Sequence, residues 1–399
     1  MARRSCSAET AAALAADVRL RVRGGGSVTE VVRQIVAAVR SGGDRALLEY
    51  EERFGGGGAL RVTAEELAAA LEGLDPAVRE GLEVAAENVR RVAEAGLDPE
   101  AEAELPQGHS VRLREVPVSR AAIYVPAGRN PYPSTVVMGA VTARAAGVDE
   151  VVVASGDDPA ILAACALCGV DAVFRMGGAQ AIAALAYGTE SVPAADVIVG
   201  PGSLWVQEAK RQVSGDVGID GFAGPSDLTV IVSAGADPEP LRLDLLAQAE
   251  HGEDSLVVAV SDDPALLDAL GGAATEILAD SMDAALAFGE ALAPEHLQLA
   301  GAAAEALAPR VRRAGCLFVG AASGTAFGDY VAGSNHTLPT GGAARFASGL
   351  SARHFRRRMA EVRIGGAEAA LARAGAPIAR AEGFTAHAAS MEIRENPRR

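Results

Sequence analysis

Short runs of β-branched residues alternate with alanine-rich stretches from Ala121 onward. The runs are AAIYV, EVVVAS, DAVFRM, DVIVGPG, LTVIVSA, SLVVAV, TEILAD, HLQLA and GCLFVG. Such alternation is typical of βα units, in which helices cover both faces of a parallel sheet. Because one sheet rarely holds so many strands, the pattern predicts an α/β fold with two parallel-sheet layers.

The segments on both sides of this pattern are predicted to be helical. Between Val28 and Gly96, VTEVVRQIVAAV and AVREGLEVAAENVRRVAEAG repeat apolar residues at three- and four-residue spacing. After Leu350, the basic stretch SARHFRRRMAEVRI and the later ARAEGFTAHAASMEIR favour two further helices. The loop FAGPSD, residues 222–227, is interpreted as the passage between the two layers.

Charge and composition narrow the possible partners. The chain has 36 basic and 52 acidic residues and a formal net charge of −16, which disfavours nucleic acid and acidic membranes. No stretch reaches the ~18 apolar residues of a membrane span, and Glu9 and Asp17 interrupt the apolar core that a signal peptide would need. The few, scattered cysteines favour a reduced, cytoplasmic setting over a disulfide framework.

Several distant segments carry residues that suit one metal site. Gln248 and His251 are three residues apart at the predicted end of a helix, so their side chains share one face. Asp329 adds an anionic oxygen from a glycine-punctuated loop, with His336 as a rival ligand and an alternative role in anchoring that loop. Oxygen and nitrogen ligands of this kind suit zinc, with manganese or cobalt as substitutes.

Two further pairs of ionisable residues stand near candidate ligands. Glu295 and His296 precede the apolar run LQLA, and burial there would shift their pKa values toward those of a general acid/base pair. A solvated loop is the alternative interpretation. Glu382 and His387 in the tail would hold a substrate amine and a metal, respectively.

Two glycine loops are candidate contacts for a phosphate or a dinucleotide. Gly177 and Gly178 in RMGGAQAIAAL, like Gly200 and Gly202 in VGPGSLWV, stand between a predicted strand and a predicted helix. Backbone amides and the dipole at such helix starts favour an anion. Because neither loop contains GxGxxG, any nicotinamide cofactor is predicted to bind in another manner.

In their order along the chain, these motifs closely resemble the histidinol dehydrogenase family. The matching segments are YVPAGRNPYPST, GGAQAIAAL, GPGSLWVQEAKRQV, AGPSD, LLAQAEHG, APEHL, GDYVAGSNHTLPTGGAARF and EGFTAH. The collinear string is far more specific than any single motif. Asp227 stands where the family's GPSE has glutamate, Ser203 stands where GPGN has asparagine, and the stretch 251–295 is shorter than usual.

By matching position, the resemblance implies a role for each candidate residue. One zinc ion per subunit would be held by Gln248, His251, Asp329 and His387. The catalytic pair would be Glu295 and His296. The substrate would contact Ser226, His296, Glu382 and the zinc ligands. NAD⁺ would contact Tyr124, Gln180 and Ser203.

The resemblance also implies an architecture. It predicts two Rossmann-like parallel-sheet domains in an aldehyde-dehydrogenase-like arrangement, with helical N- and C-terminal extensions. The predicted segments are an N-terminal extension over 1–27, a discontinuous first α/β domain over 28–115 and 228–350, an inserted Rossmann-like domain over 116–227, and a helical dimerisation tail over 351–399. His387 would reach across a homodimer, so the site would be shared between subunits.

The activity implied by the resemblance is zinc-dependent oxidation of L-histidinol through L-histidinal to L-histidine, with reduction of two NAD⁺, at the end of histidine biosynthesis. A zinc- and NAD-dependent dehydrogenase of another small alcohol, such as a sulfonated diol, stays open as an alternative. A zinc hydrolase using the same ligands and Glu295 is the rival from another reaction class. A non-catalytic binding protein fits least, because a metal set and an acid/base pair exceed what binding needs.

Overall fold

The computed structural model describes residues 3–20, 28–126, 130–222, 224–252, 254–272 and 274–395. Residues 127–129 of YVPAGRNPYPST and Ala223 of AGPSD lie outside the described residues. The strands are β1 (Arg4–Cys6), β2 (Ala101–Glu104), β3 (Ser110–Pro117), β4 (Arg120–Tyr124), β5 (Glu150–Ser155), β6 (Ala172–Arg175), β7 (Val197–Val199), β8 (Gly218–Ile219), β9 (Asp227–Val232), β10 (Leu256–Ser261), β11 (Thr275–Ala279), β12 (His296–Ala300), β13 (Cys316–Val319) and β14 (Arg356–Arg363).

The helices are α1 (Ala11–Leu20), α2 (Thr29–Arg53), α3 (Ala64–Glu72), α4 (Pro76–Ala95), α5 (Pro133–Val136), α6 (Thr142–Ala145), α7 (Pro159–Leu167), α8 (Gly178–Tyr187), α9 (Leu204–Val213), α10 (Pro238–Ala249), α11 (Pro264–Leu270), α12 (Met282–Leu292), α13 (Ala302–Glu305), α14 (Thr325–Tyr330), α15 (Glu368–Ala381) and α16 (Thr385–Glu392). A π-helical turn, Val137–Val141, joins α5 to α6. Among the described helices, none combines the length and apolar character that a bilayer crossing requires.

Two parallel sheets carry the same strand order. The five-stranded sheet runs β6-β5-β4-β7-β8, and the six-stranded sheet runs β1-β11-β10-β9-β12-β13. Apart from the edge strand β1, each sheet has its first strand, β4 or β9, in the middle, with the next two strands on one side and the last two on the other. The predicted α/β class with two parallel sheets is therefore confirmed, and residues 222–227 do lead from one sheet to the other.

Aspartate–proline pairs begin four of the helices between and beside these strands. In each pair the carboxylate caps the helix by accepting from the amide two residues ahead, and proline fills the first helical position, where no amide donor is needed. The capping residues are Asp75, Asp158, Asp237 and Asp263. These local signals fix where α4, α7, α10 and α11 start, and thereby how long the preceding loops are.

Each sheet is buried by helices on its faces. Helices α2, α8 and α9 pack against the five-stranded sheet through a continuous apolar cluster. The six-stranded sheet is covered by α1 and α12 on one face and by α10 and α11 on the other. The helical prediction for 28–96 is confirmed by α2 and α4, and α2 belongs by packing to the five-stranded sheet. The residue bounds predicted for the domains stay a prediction.

The segment 1–27 contributes to a sheet, beyond the helical extension predicted for it. Strand β1 pairs in parallel with β11, with Arg4 opposite Ile277, and α1 packs on α12. Pairing with an edge that already exists is a long-range contact, so local helical periodicity gives no sign of it.

The chain divides into two compact units. The larger comprises Met1–Gly96 and Val118–Phe355, and the smaller comprises Leu97–Pro117 and Arg356–Arg399. The helical prediction for the basic stretch is wrong within the smaller unit, because Arg356–Arg363 forms β14 and pairs antiparallel with β3 along its whole length. Cross-strand pairing between segments more than two hundred residues apart overrides the local pattern. The helical prediction for the later tail is confirmed by α15 and α16.

Candidate active site

Ionisable residues gather at the amino ends of β9 and β12, the neighbouring central strands of the six-stranded sheet. Asp227 begins β9 and Ser226 precedes it, while His296 begins β12 and Glu295 precedes it. The parallel register places His296 opposite Leu228, so both segments enter the sheet side by side. The motifs AGPSD and APEHL, distant in sequence, therefore meet at one edge.

Glu295 is held by a closed hydrogen-bond network. Its Oε2 accepts from the Ser226 hydroxyl at 2.6 Å and from the Asp227 amide at 3.0 Å. In return, the Glu295 amide donates to Oδ1 of Asp227 at 2.8 Å. Gln248 extends the network by donating from Nε2 to the Ser226 hydroxyl at 2.8 Å. The carboxylate of Glu295 is thus fixed by two donors at the start of β9 and, through Ser226, by α10.

His296 lies between two carboxylates and is only 3% exposed. Its Nδ1 lies 3.2 Å from the Asp227 carbonyl oxygen and 3.7 Å from Oε2 of Glu295, and its Nε2 lies 3.5 Å from Oδ1 of Asp329. Burial alone would lower the pKa of His296, but the carboxylates of Asp329 and Glu295 outweigh it and raise the pKa to about 9. The imidazole can therefore hold a proton within the buried site.

The two carboxyl groups at the strand starts share one buried environment. Burial and, after it, the neighbouring charge of Glu295 together raise the pKa of Asp227 to about 7, against the smaller opposing effects of the Glu295 amide and His296. Burial likewise raises the pKa of Glu295, against the opposing effect of His296. Two adjacent buried carboxylates and one imidazole make a set that can exchange protons, which is the chemistry expected of an acid/base site.

Asp329 and His336 approach the cluster from the segment after β13. Asp329 lies in the short helix α14, although a loop was predicted for it. His336 Nδ1 lies 2.9 Å from the Asp329 carbonyl oxygen, and its Nε2 lies 3.3 Å from the Thr135 hydroxyl. Both ring nitrogens of His336 are therefore engaged, which is the arrangement of a loop-anchoring residue. Asp329 keeps its carboxylate toward His296.

Gln248 and His251 stand at the end of α10, as the sequence predicts. The helix ends at Ala249, so Gln248 is in its last turn and His251 in the turn that follows. Gln248 is 3% exposed, and because its amide donates through Nε2 to Ser226, its Oε1 is turned away from that contact. His251 is exposed and lies near enough to His336 to lower the pKa of that imidazole, after the larger effect of burial.

Glu382 and His387 belong to the smaller unit. Glu382 caps the end of α15, and His387 lies in α16 with its ring 5.2 Å from that of Phe384. A glycine with positive φ, Gly383, separates the two helices, so the residues do not share one helix as their spacing suggested. Both side chains are exposed within the single chain.

The three predicted cofactor contacts line one cavity of about 520 Å³ at the carboxyl ends of the strands of the five-stranded sheet. The cavity is walled by residues that follow β4, β5 and β6, by the starts of α8 and α9, and by the end of α2. Its lining includes Tyr124, Gln180 and Ser203. Crevices at the carboxyl ends of parallel strands are the usual nucleotide sites of doubly wound folds.

One lining residue of this cavity, Glu51, is not predicted from the sequence. Its Oε1 accepts from the Gly177 amide and from Nε2 of Gln180, both at 3.0 Å. The Gly178 amide donates to the Tyr124 hydroxyl, also at 3.0 Å. Nothing in the surrounding helical pattern marks Glu51, since it is one of several glutamates in EYEER. Only its burial in the folded chain sets Glu51 apart from its neighbours.

The described residues contain no group of three or more histidine, cysteine, aspartate or glutamate side chains arranged to hold a metal ion. The predicted zinc set supplies only His251 and Asp329 of these types within the larger unit, with Gln248 as an amide ligand and His387 in the other unit. The donor types suit zinc.

Comparison with known proteins decides the family. A family model described as histidinol dehydrogenase matches residues 21–395. The chain belongs to the histidinol dehydrogenase family. The prediction made from the motifs is confirmed, and with it the prediction of an oxidoreductase.

Members of the histidinol dehydrogenase family match over nearly the whole chain. The histidinol dehydrogenase of Pseudomonas aeruginosa is 42% identical and that of Natronomonas pharaonis 43% identical; each match covers 92% of this chain, with 91% and 93% of the relative, respectively. The crystal structure of histidinol dehydrogenase from Elizabethkingia anophelis superposes with a TM-score of 0.88 at 30% identity, covering 93% of both chains. Membership in this family favours the oxidoreductase over the zinc hydrolase.

Proposed function

We propose that this chain oxidises L-histidinol through L-histidinal to L-histidine and reduces two NAD⁺. The observation that carries the proposal is the buried pair Glu295 and His296, fixed at the start of β12 by Ser226, Asp227 and Asp329. Family membership supplies the reaction class, and this pair supplies the proton chemistry that an alcohol and then an aldehyde oxidation need.

The residues that would hold zinc are Gln248, His251, Asp329 and, from the second subunit of a homodimer, His387. The fit rests on donor chemistry: the Gln248 amide is oriented by Ser226 through its nitrogen, so its oxygen is the atom free to serve as ligand. Bound zinc supplies a Lewis acid that orients and polarises the substrate. Ser226 and Glu382 would contact the substrate beside these ligands.

The residues that would hold NAD⁺ line the cavity of the five-stranded sheet. Tyr124, Gln180 and Ser203 present a phenol, an amide and a hydroxyl to it, and these groups match the polar groups of a nucleotide. Bound NAD⁺ supplies the hydride acceptor. The loops that begin α8 and α9 form part of the wall, so this cofactor is expected to bind without a GxGxxG loop.

The protein's own residues would move the protons. The neutral form of His296 accepts the alcohol proton in the first oxidation, and the contacts with Asp329 and Glu295 stabilise the imidazolium that results. Glu295, whose pKa burial raises, is a stronger base than an exposed carboxylate and takes a proton from water in the second oxidation. Ser226 and the Asp227 amide keep Glu295 oriented through both steps.

A homodimer with a shared site is part of the proposal. The smaller unit carries Glu382 and His387 and exposes a set of large apolar side chains in the single chain, as expected of a surface that another subunit covers. These side chains are Met359, Val362, Ile364, Ile378, Phe384 and Ile393. The free cysteines agree with a cytoplasmic location.

The deciding experiment follows NADH formation with L-histidinol and counts NADH per histidine, before and after chelation. Two NADH per histidine, lost on chelation and restored by zinc, are expected. Turnover of other small alcohols without turnover of histidinol would replace the proposed substrate. Absence of NAD⁺ reduction with any alcohol would refute the proposal.

A further inference from the structure

The carboxylate of Glu51 occupies an unusual place for a nucleotide cavity. It projects from the end of α2 to the start of α8, is 8% exposed, and accepts from the Gly177 amide and the Gln180 side chain through Oε1. Helix starts of this kind attract the phosphates of nucleotides in many α/β folds. Here a protein carboxylate already supplies the negative charge at that place.

The amides at the start of α8 are thereby engaged within the chain. The Gly177 amide donates to Glu51 and the Gly178 amide donates to the Tyr124 hydroxyl. A phosphate at this end of the cavity would have to displace both acceptors and to approach an anionic side chain. The end of the cavity formed by Glu51, Tyr124 and Gln180 therefore disfavours anions.

The second oxygen of Glu51 is suited to receive a hydroxyl group. Glu51 lines the cavity, and among the described residues no donor to its Oε2 is seen. Oε2 is also absent from the buried side-chain atoms that lack a partner, as expected of an oxygen that the cavity leaves accessible. An ionised carboxylate has acceptor capacity beyond the two bonds made by Oε1. A vicinal diol such as that of a ribose carries the donors that this oxygen needs.

The cation in the described lining of this cavity is already neutralised. Arg175 contacts the carboxylate of Asp157 and that of Glu66, the latter at 2.8 Å, and its side chain is 16% exposed. A phosphate monoester entering the cavity would compete with two carboxylates for this guanidinium. Recognition of a 2′-phosphate usually needs an available arginine, whereas a free ribose hydroxyl is usually met by an acidic residue.

We propose that Glu51 is a specificity-determining residue that accepts a hydrogen bond from a ribose hydroxyl of NAD⁺ and repels the 2′-phosphate of NADP⁺. The inference rests on the proposed function, because it takes this cavity as the cofactor site. It adds a residue outside the glycine loops, contributed by a helix more than a hundred residues earlier in the chain. Selection against NADP⁺ then comes from an unfavourable charge as well as from a favourable contact.

The test measures binding of NAD⁺ and of NADP⁺ to the full-length protein by titration calorimetry, without turnover. Glu51→Gln keeps an oxygen that can accept from Gly177 and removes the charge, so the ratio of the two dissociation constants is expected to shift toward NADP⁺ by about tenfold or more. Glu51→Asp keeps the charge on a shorter side chain, so it is expected to weaken both nucleotides and preserve the preference. Glu52→Gln makes the same charge change at the neighbouring exposed position and is expected to leave both constants unchanged.

The outcomes separate this inference from the proposed function. If the wild-type protein binds NAD⁺ but Glu51→Gln weakens both nucleotides by the same factor, Glu51 only holds the loop and the inference is overturned alone. An equal shift in Glu52→Gln would also overturn it, since general charge would then explain the effect. If the wild-type protein binds neither nucleotide, the proposed cofactor fails and the inference fails with it.

Discussion

The two parallel sheets have the same strand order but carry their candidate sites at opposite ends of the strands. In the five-stranded sheet the cavity lies at the carboxyl ends of the strands, where doubly wound folds usually bind ligands. In the six-stranded sheet the ionisable cluster lies at the amino ends of β9 and β12. The shared topology therefore does not decide at which end of the strands a site forms. The residues placed at each end decide it.

Packing at the carboxyl ends of β9 and β12 explains part of this difference between the two sheets. At the carboxyl end of β12, Gly301 adopts a φ of +91° and packs so closely that a Cβ would lie 2.6 Å from the Ser233 carbonyl oxygen. Ser233 also accepts from the Ala304 amide at 3.1 Å. Where β9 and β12 end, helix α13 thus begins directly against the sheet. The corresponding edge of the five-stranded sheet holds the cavity.

The largest expected effect comes from removing the imidazole at the amino edge. His296→Asn should lower kcat for L-histidinol by roughly 10²- to 10⁴-fold, the usual range for loss of a general base. Because the cofactor cavity belongs to the other sheet, the dissociation constant of NAD⁺ measured by calorimetry should stay the same. A parallel loss of NAD⁺ binding would show that the two edges do not act separately.

Asp227→Asn should change how stability depends on pH. Burial raises the pKa of Asp227 from 3.8 to about 7 in the folded protein, so its contribution to stability is fully present below about pH 4 and is lost as pH rises through 7. Relative to Asp227→Asn, the free energy of unfolding of the unmodified protein should fall over that window by up to about 4 kcal/mol.

The measurement for Asp227 is the urea midpoint at a series of pH values. Asp254→Asn, at an exposed position, is the matched control and should follow the unmodified protein at every pH. If Asp227→Asn also follows the unmodified protein, the pKa of Asp227 is not raised in the folded protein. The ionised carboxyl then costs no stability at the amino ends of the strands.

Ser226→Ala should slow oxidation of the aldehyde. The hydroxyl donates to Glu295 at 2.6 Å, and loss of a hydrogen bond to a charged group costs about 1.5–3 kcal/mol, which corresponds to roughly ten- to hundredfold. Steady-state rates with L-histidinal as substrate measure this effect. Ser233→Ala removes a buried hydroxyl at the other end of the same strand and should leave the rate unchanged; equal losses in both variants would point to a general effect on the strand.

Tyr124→Phe should have the smallest effect and should change only cofactor binding in the cavity. The hydroxyl accepts from the Gly178 amide at 3.0 Å, and a neutral hydrogen bond contributes about 0.5–1.5 kcal/mol. NAD⁺ binding should weaken by at most about tenfold in calorimetry, while zinc content measured by metal analysis stays the same. Loss of zinc in this variant would show that the cofactor cavity and the metal site are coupled.

The sequence predicts the parts of the fold that local patterns specify. Alternating β-branched and alanine-rich runs predict the parallel strands. The motif APEHL predicts that Glu295 and His296 enter a strand, and FAGPSD is interpreted as a passage between the two layers. Their reciprocal bonds, Glu295 amide to Asp227 and Asp227 amide to Glu295, join positions 68 residues apart and have no local signature.

By itself, the sequence determined the α/β class, the family and the candidate acid/base pair, because periodicity and collinear motifs are written in neighbouring residues. Only the tertiary structure decided that Arg356–Arg363 is a strand and that Glu51 closes the start of α8. Both depend on partners far along the chain; Gly177, for example, lies 126 positions after Glu51. Contacts of that range are stabilised by the packing of the whole fold, so no short segment of the sequence shows a pattern that predicts them.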